Sequence, residues 1–154
     1  MPVFDLSDLS AACPPNTPWL GLDLGENTIG VAASDAGRII ASPLELIRKT
    51  KFSQDAEQLF KIMDGRKVSA LIIGLPLNMD GSPSEMSARA EKFARRLNGR
   101  FNLPVHTHDE RLTTFEAKGE RLRQGQHGGY RERPVDALAA ALLLEGWLND
   151  HAGA

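Results

Sequence analysis

The hydrophobic pattern of this chain changes period once, near Ser53. Before that point, apolar residues come in short runs separated by turn residues. Trp19-Leu20-Gly21-Leu22-Asp23-Leu24 is followed by a Gly-Glu-Asn turn, then Thr28 to Ser34, then Asp35-Ala36-Gly37, then Arg38 to Ile47. Runs at hairpin distance predict three strands in an antiparallel meander, and Pro43, which has no N–H for a second ladder, predicts that the third lies at an edge. After that point, Ala56, Leu59, Phe60 and Met63 recur at helical spacing from Ser53 to about Arg66, with Gly65 near the stop. Val68 to Ile73 is a continuous apolar run of the kind buried on both faces. Ser82-Pro83-Ser84-Glu85 has the form of a capping box with proline at the first helical position. It predicts a helix to about Asn98 with Met86, Ala90, Phe93, Ala94 and Leu97 facing inward. Leu103 to Asp109 reads as another strand, and Thr113-Thr114-Phe115-Glu116 as a second capping box opening a helix towards Arg123. Gln124 to Arg133, rich in Gly and polar groups, reads as a mobile connection. Pro134 starts a final helix that buries Ala137, Leu138, Ala140, Ala141, Leu144 and Trp147 along one face.

Strands joined through helical crossovers run parallel to one another. The predicted fold is therefore α/β, with a mixed five-stranded sheet (the three-strand antiparallel meander plus two parallel strands) and helices on both faces. A chain of 154 residues suits one such domain, assigned to residues 18–151 behind a loose leader, 1–17, that contains Pro14 and Pro15. Lys and Arg total 18 against 20 Asp and Glu, which excludes a uniformly basic nucleic-acid binder and leaves room only for local basic patches. Cys13 is the only cysteine, so neither an internal disulfide nor a cysteine zinc cluster is available. No apolar run reaches membrane-spanning length, and the start of the chain is acidic rather than basic. A cytoplasmic location is expected, with no membrane partner.

Three acids stand out. Asp23 interrupts an apolar strand, where an ionised carboxylate is costly unless something compensates it. It is either a turn aspartate for Gly25-Glu26-Asn27 or a metal ligand at a strand end, with Gly21 and Gly25 leaving room for a substrate backbone. Glu110 closes the strand Val105-His106-Thr107-His108-Asp109, at the sheet edge where α/β proteins place their sites. The competing reading pairs Glu110 or Asp109 with Arg111 in a surface loop. Asp136 lies in the first turn of the last helix, a position the helix dipole favours for any acid. What favours a shared site is that the three acids come from three separate elements.

Four blocks of the sequence together resemble the YqgF/RuvX family. Gly21-Leu22-Asp23-Leu24-Gly25 with Ile29-Gly30-Val31-Ala32 looks like its opening, and Ile73-Gly74-Leu75-Pro76-Leu77-Asn78-Met79-Asp80-Gly81-Ser82 like its signature loop. Asp109-Glu110-Arg111-Leu112-Thr113-Thr114 and Asp136-Ala137-Leu138-Ala139-Ala140 resemble its third and fourth blocks, in family order over roughly residues 19 to 148. The resemblance implies a ribonuclease H-like fold and a nuclease, with Asp23, Glu110 and Asp136 as the catalytic acids. Family members are described as processing the 5′ end of pre-16S ribosomal RNA, and in older descriptions as Holliday-junction resolvases. Two departures touch phosphate contacts. Thr28 stands where the family usually has a basic residue, and Arg131-Glu132-Arg133-Pro134-Val135 where a basic pair with Gly commonly precedes the last Asp.

Phosphodiester hydrolysis requires an activated water, charge relief on the phosphate and help for the leaving oxygen, which a pair of Mg²⁺ ions supplies without a dedicated protein base. Three carboxylates and no cysteine suit Mg²⁺, with Mn²⁺ as a possible substitute. Asp23 is assigned as the bridging ligand, Glu110 and Asp136 as the flanking ones, and Asp109 as the second choice for Glu110. His106 and His108 share a strand face and are read as structural or supporting. Arg111, Asn78, Arg131 and Arg133 are the expected substrate contacts, to nucleic-acid backbone rather than bases. Arg89, Lys92, Arg95, Arg96 and Arg100 are read as a solvated helix face. The partner is pre-rRNA or branched DNA, and the protein a monomer or a homodimer. Junction resolution requires the dimer, for which Trp147, Leu148 and Leu142–Leu144 offer a face if they are not core. Two rivals remain: a non-catalytic nucleic-acid-binding module, and an ATP-binding domain of the actin, sugar-kinase and Hsp70 type, which needs two such domains where this length supplies one.

Overall fold

Three strands, β1 (Trp19–Leu24), β2 (Thr28–Ser34) and β3 (Ala41–Arg48), form the meander, and β4 (Ala70–Leu75) and β5 (Val105–Asp109) extend it. In the computed structural model, which describes residues 16–101, 103–109 and 135–150, they make one sheet in the order β3-β2-β1-β4-β5. β1 and β2 pair antiparallel, as do β2 and β3, whereas β1–β4 and β4–β5 are parallel. The sequence-based topology is reproduced. β3 is an edge strand, and Pro43 sits opposite Ala32 where the register shifts between Val31 and Ala32, an irregularity that accommodates the missing N–H.

Helices α1 (Phe52–Arg66), α2 (Glu85–Phe101) and α3 (Val135–Asp150) complete the described fold. Strand alternation sorts the core in two. Leu20, Leu22, Leu24, Ile29, Val31, Leu71, Ile73 and Val105 pack with Ala56, Leu59 and Met63 of α1 and Ala90, Phe93, Ala94 and Leu97 of α2. On the other face Trp19, Ala32, Ala41, Ala70 and Ile72 pack with Leu138, Ala140, Ala141, Leu144 and Trp147 of α3. The described side chains of α3, from Ala137 to Leu148, are buried nearly all round rather than along one face. Trp147, Leu148 and Leu142–Leu144 are therefore core and not a free dimer surface.

Several boundaries differ from the sequence-based expectation, each for a local reason. β3 begins at Ala41 rather than Arg38, because the Asp35 carboxylate accepts the amides of Ile39 and Ile40, each at 2.8 Å, and Arg38 adopts a left-handed φ of 59°. Gly65 lies inside α1. The helix ends at Lys67, left-handed at φ 56°, where the Val68 N–H donates to the Met63 carbonyl at 3.0 Å, a Schellman-type stop built without glycine. This places β4 at Ala70–Leu75 instead of Val68–Ile73, and β5 likewise starts at Val105 rather than Leu103. Phe60, one of the apolar residues at helical spacing, is 51% exposed and stacks on Phe101 at 6.1 Å. Met86 is only partly buried.

The cap of α2 is also not the one predicted. Ser84, not Ser82, precedes the first helical residue. Its hydroxyl accepts the Ser87 N–H at 2.9 Å while the Ser87 hydroxyl accepts the Ser84 N–H at 2.7 Å, a reciprocal box with serine in the glutamate position. Ser82 instead belongs to the preceding loop. Residues 1–15 of the leader, the predicted helix from Thr113 and the segment Gln124–Arg133 lie outside the described residues.

Candidate functional site

Asp23 sits near the carboxyl end of β1, directly opposite Gly30 of β2. On its other side Gly74 follows Ile73, the register partner of Leu22. Because Leu22 and Leu24 point into the α1/α2 core, alternation sends Asp23 to the α3 face. Its lateral neighbours on that face therefore carry no side chain. Asp23 is partly buried.

The two glycines expected to make room for substrate do something else. A Cβ on Gly21 would stand 2.8 Å from Cβ of Leu144 and 3.2 Å from the carbonyl oxygen of Ala140, so this glycine lets α3 lie directly on the sheet. A Cβ on Gly25 would meet Oγ1 of Thr28 at 2.9 Å, in the turn where the Gly25 N–H donates to the Thr28 carbonyl at 2.7 Å. Thr28, in the position that departs from the family pattern, is therefore a partner of this turn.

α3 begins at Val135, which puts Asp136 in its first turn. From the Ala140–Leu144 turn against Gly21, Asp136 is one turn back, about 6 Å along the axis. Asp23 is two strand residues on, about 7 Å away. Both acids thus start from the same face and the same contact point. Glu110 and the side chain of Asp136 lie outside the described residues, as do Arg111, Arg131 and Arg133, and among the described residues no three metal-ligating side chains come together.

Asp109 separates from Asp23. It pairs with Leu75 at the end of β5, and Val105 of the same strand faces the α1/α2 core. Asp109 shares that parity, so it is on the opposite face from Asp23. His106 and His108 have Asp23's parity and lie against Trp147, with ring centroids 4.3 and 5.8 Å away.

Asn78 lies in the loop that leaves β4 at the same sheet edge. Its side-chain amide donates to the Ser82 hydroxyl at 3.0 Å and to the Pro83 carbonyl at 3.2 Å. A carbonyl only accepts, so this contact also fixes which way the amide points. Ser82 donates in turn to Asp80 through its N–H (2.9 Å) and hydroxyl (2.6 Å), and Gly81 supplies the positive φ of 90° that closes the turn. The loop is held by its own side chains, with Asn78 at its centre.

Sequence reasoning missed two features. The glycine pair around Asp23 depends on register across three strands and has no local signal. A cleft on the opposite face brings Lys49 together with Arg89, Lys92 and Arg96. The i, i+3, i+7 spacing of those three α2 residues was visible, but the contribution of Lys49 was not.

Residues 17–150 match the RuvX family model, described as Holliday junction resolvase. A protein of Pseudomonas paraeruginosa named "Putative pre-16S rRNA nuclease" is 60% identical over 141 residues, covering 92% of this chain and 98% of its own length. The identically named protein of Azotobacter vinelandii is 60% identical over 129 residues, covering 84% of this chain and 91% of its own. Among solved structures, RuvC of Thermus thermophilus in complex with a Holliday junction aligns with a TM-score of 0.59 at 13% identity, covering 88% of this chain and 96% of RuvC. The yeast mitochondrial Holliday junction resolvase Ydc2 aligns at 0.56 and 15% identity, covering 94% of this chain and 82% of its own. The sheet order and these matches agree: the chain belongs to the RuvX family and has the ribonuclease H-like fold of the RuvC-type resolvases.

Proposed function

We propose that this protein is a metal-dependent endonuclease that processes the 5′ end of pre-16S rRNA in the cytoplasm, with its whole activity in the single domain 18–151. The observation that carries the reading is Asp23: a carboxylate inside a sheet, bracketed by glycines and on the face covered by the helix that has Asp136 in its first turn. The names of the relatives support the choice of substrate.

Asp23, Glu110 and Asp136 would hold Mg²⁺, with Mn²⁺ as substitute. The donor set fits, being all carboxylate oxygen, the ligand type a hard cation prefers. When bound, the metal supplies water activation and charge relief on the phosphate. Strand parity disfavours Asp109 as the second ligand, since it lies on the sheet face opposite Asp23, and the family block leaves Glu110 in that role. Arg111, Arg131 and Arg133 bind backbone phosphates and orient the scissile bond. Asn78 keeps the loop after β4 in one shape, so the substrate meets a preformed edge. The histidines and Trp147 pack beneath the site and set the position of β5 against α3.

The second reading, resolution of four-way DNA junctions, is favoured by the description of the family model. Both readings use the same acids and differ in substrate and assembly, because symmetric resolution needs two sites related by a two-fold axis. The deciding experiment compares Mg²⁺-dependent cutting of a pre-16S rRNA 5′ leader and a four-way junction, with Asp23→Asn as control. Cutting of the leader at a defined position supports the first reading. Symmetric junction cleavage with an intact leader selects the second, and binding without cutting in Mg²⁺ or Mn²⁺ selects a non-catalytic module.

A further inference from the structure

On the face of the sheet away from Asp23, a cleft of about 230 Å³ opens between the start of α1 and the outer side of α2. Four cations line it. Arg89, Lys92 and Arg96 form one stripe of α2, and Lys49 reaches it from the connection between β3 and α1. The carboxylate in its lining is that of Asp55, which is 2% exposed and accepts the Thr50 N–H at 3.0 Å and the Thr50 hydroxyl at 3.1 Å. Glu85, outside the lining, pairs with Arg89 at 2.8 Å in an exposed bridge, a kind of contact that contributes little and exchanges readily. Lys49 and Lys92 make no ion pair among the described residues.

The floor of the cleft is aromatic. Phe52 and Phe93 meet edge to face at 5.7 Å, and the Arg96 guanidinium lies 3.8 Å above the Phe52 ring. Like charges gathered on such a surface repel one another, and the chain as a whole carries a net charge of −2. The concentration is therefore local, not a by-product of a basic composition. A fixed cluster of Arg and Lys around a small opening matches the oxygens of a phosphate group.

Its position relates it to the reading above. Leu24 lines the cleft, and Asp23 is the residue before it in the same strand end, with its side chain on the other face. Adjacent Cα atoms are about 3.8 Å apart, so the cleft and the carboxylate lie on two sides of one rim.

We propose that this cleft is a second phosphate-binding site, which holds the sugar-phosphate backbone of the substrate strand after it passes over the carboxyl edge of the sheet from Asp23. The inference rests on the nuclease reading and adds where the strand goes. Such contacts position nucleic acid without reading its bases, and each contributes to the salt dependence of binding.

The test measures binding of a labelled pre-16S leader and a four-way junction, by anisotropy over a range of salt, to Asp23→Asn protein with and without Lys49→Ala and Lys92→Ala. Neither lysine makes an ion pair in the described structure, so thermal stability should be unchanged. The double substitution should weaken binding about 10-fold at moderate salt. It should also reduce the slope of log K against log salt by about 1.4 to 1.8, the loss of two phosphate contacts. Unchanged affinity and slope in a folded double variant overturn the inference while leaving the nuclease reading intact. Two further arms use inorganic phosphate and polyglutamate as ligands. If the lysines govern binding of either one but not of nucleic acid, the cleft serves free phosphate or an acidic protein, and the inference is overturned. If the parent protein binds neither nucleic acid, the functional reading falls and the inference with it.

Discussion

On the face covered by α1 and α2, the strands contribute Leu, Ile and Val at nearly every inward position, and two helices close over them. On the face covered by α3, the same strands contribute Trp19, Gly21, Asp23, Gly30, Ala32, Ala70, Ile72 and Gly74, and one apolar helix lies close against them. Large aliphatic side chains maximise burial and leave no vacant volume. Small ones let the helix approach, and beside Asp23 the neighbouring positions are the glycines Gly30 and Gly74. On the proposed reading, the large aliphatic core lies on one face and the chemistry on the other. The ribonuclease H-like sheet allows this because alternate residues of one strand serve the two tasks independently.

The largest expected effect comes from Asp23→Asn. Cleavage should fall by about three decades or more, some 4 kcal/mol of transition-state stabilisation, while circular dichroism and nucleic-acid binding stay as in the parent. If cleavage survives, the α3 face is not the chemical one. Leu22→Ala, one residue away on the other face, should act the opposite way. Equilibrium urea unfolding should show a loss of about 2–5 kcal/mol, with the cleavage rate of the folded fraction little changed.

Gly21→Ala tests how closely α3 approaches. The new methyl group would stand 2.8 Å from Leu144, so unfolding should show about 1–3 kcal/mol of destabilisation from overpacking. A second substitution, Leu144→Ala, should recover part of it, and a neutral Gly21→Ala would break the close-contact argument. At the cap of α2, Ser84→Ala should cost about 1 kcal/mol, whereas Ser82→Ala should leave α2 intact and loosen only the loop after β4. The reverse order in thermal melts would restore the cap predicted from sequence.

The smallest effect concerns Asp35. Burial pushes its carboxyl up, but the amides of Ile40 and Ile39, with those of Asp35 and Gly37, together hold it below the usual carboxylate value of 3.8. A lowered folded-state pKa means the ionised form favours the folded protein. That contribution is complete above the unfolded value and is lost as pH falls through the folded one. The stability gap between the parent and Asp35→Ala should therefore be small at neutral pH and narrow further in acid below the usual value. A gap that widens in acid would contradict the hydrogen bonding of this turn.

Much of this architecture is legible locally. The change from short alternating runs to helical spacing near Ser53 separates the meander from the crossover part, and Pro43 marks an edge strand, because each depends on a few neighbouring residues and on the geometry of one element. Asp23 stands out for a similar reason, as a charge inside an apolar run. The resemblance of the four blocks implies the partners proposed for it.

What only tertiary structure decided concerns pairs of residues far apart in the chain. Which serine caps α2 depended on where the loop from Leu75 ends. That Gly21 accommodates α3 rather than substrate required residues 140 and 144 to be seated on it. Asp109 and Asp23 are both strand-end acids by sequence, and only the register through β4 assigns them to opposite faces. Lys49 joins three cations of α2 because β3 ends beside that helix. Sequence determines periodicity, punctuation and the presence of an ill-placed charge, since these arise within one element. Register and packing determine what each charge faces, since those follow from how separate elements bury their apolar surfaces together.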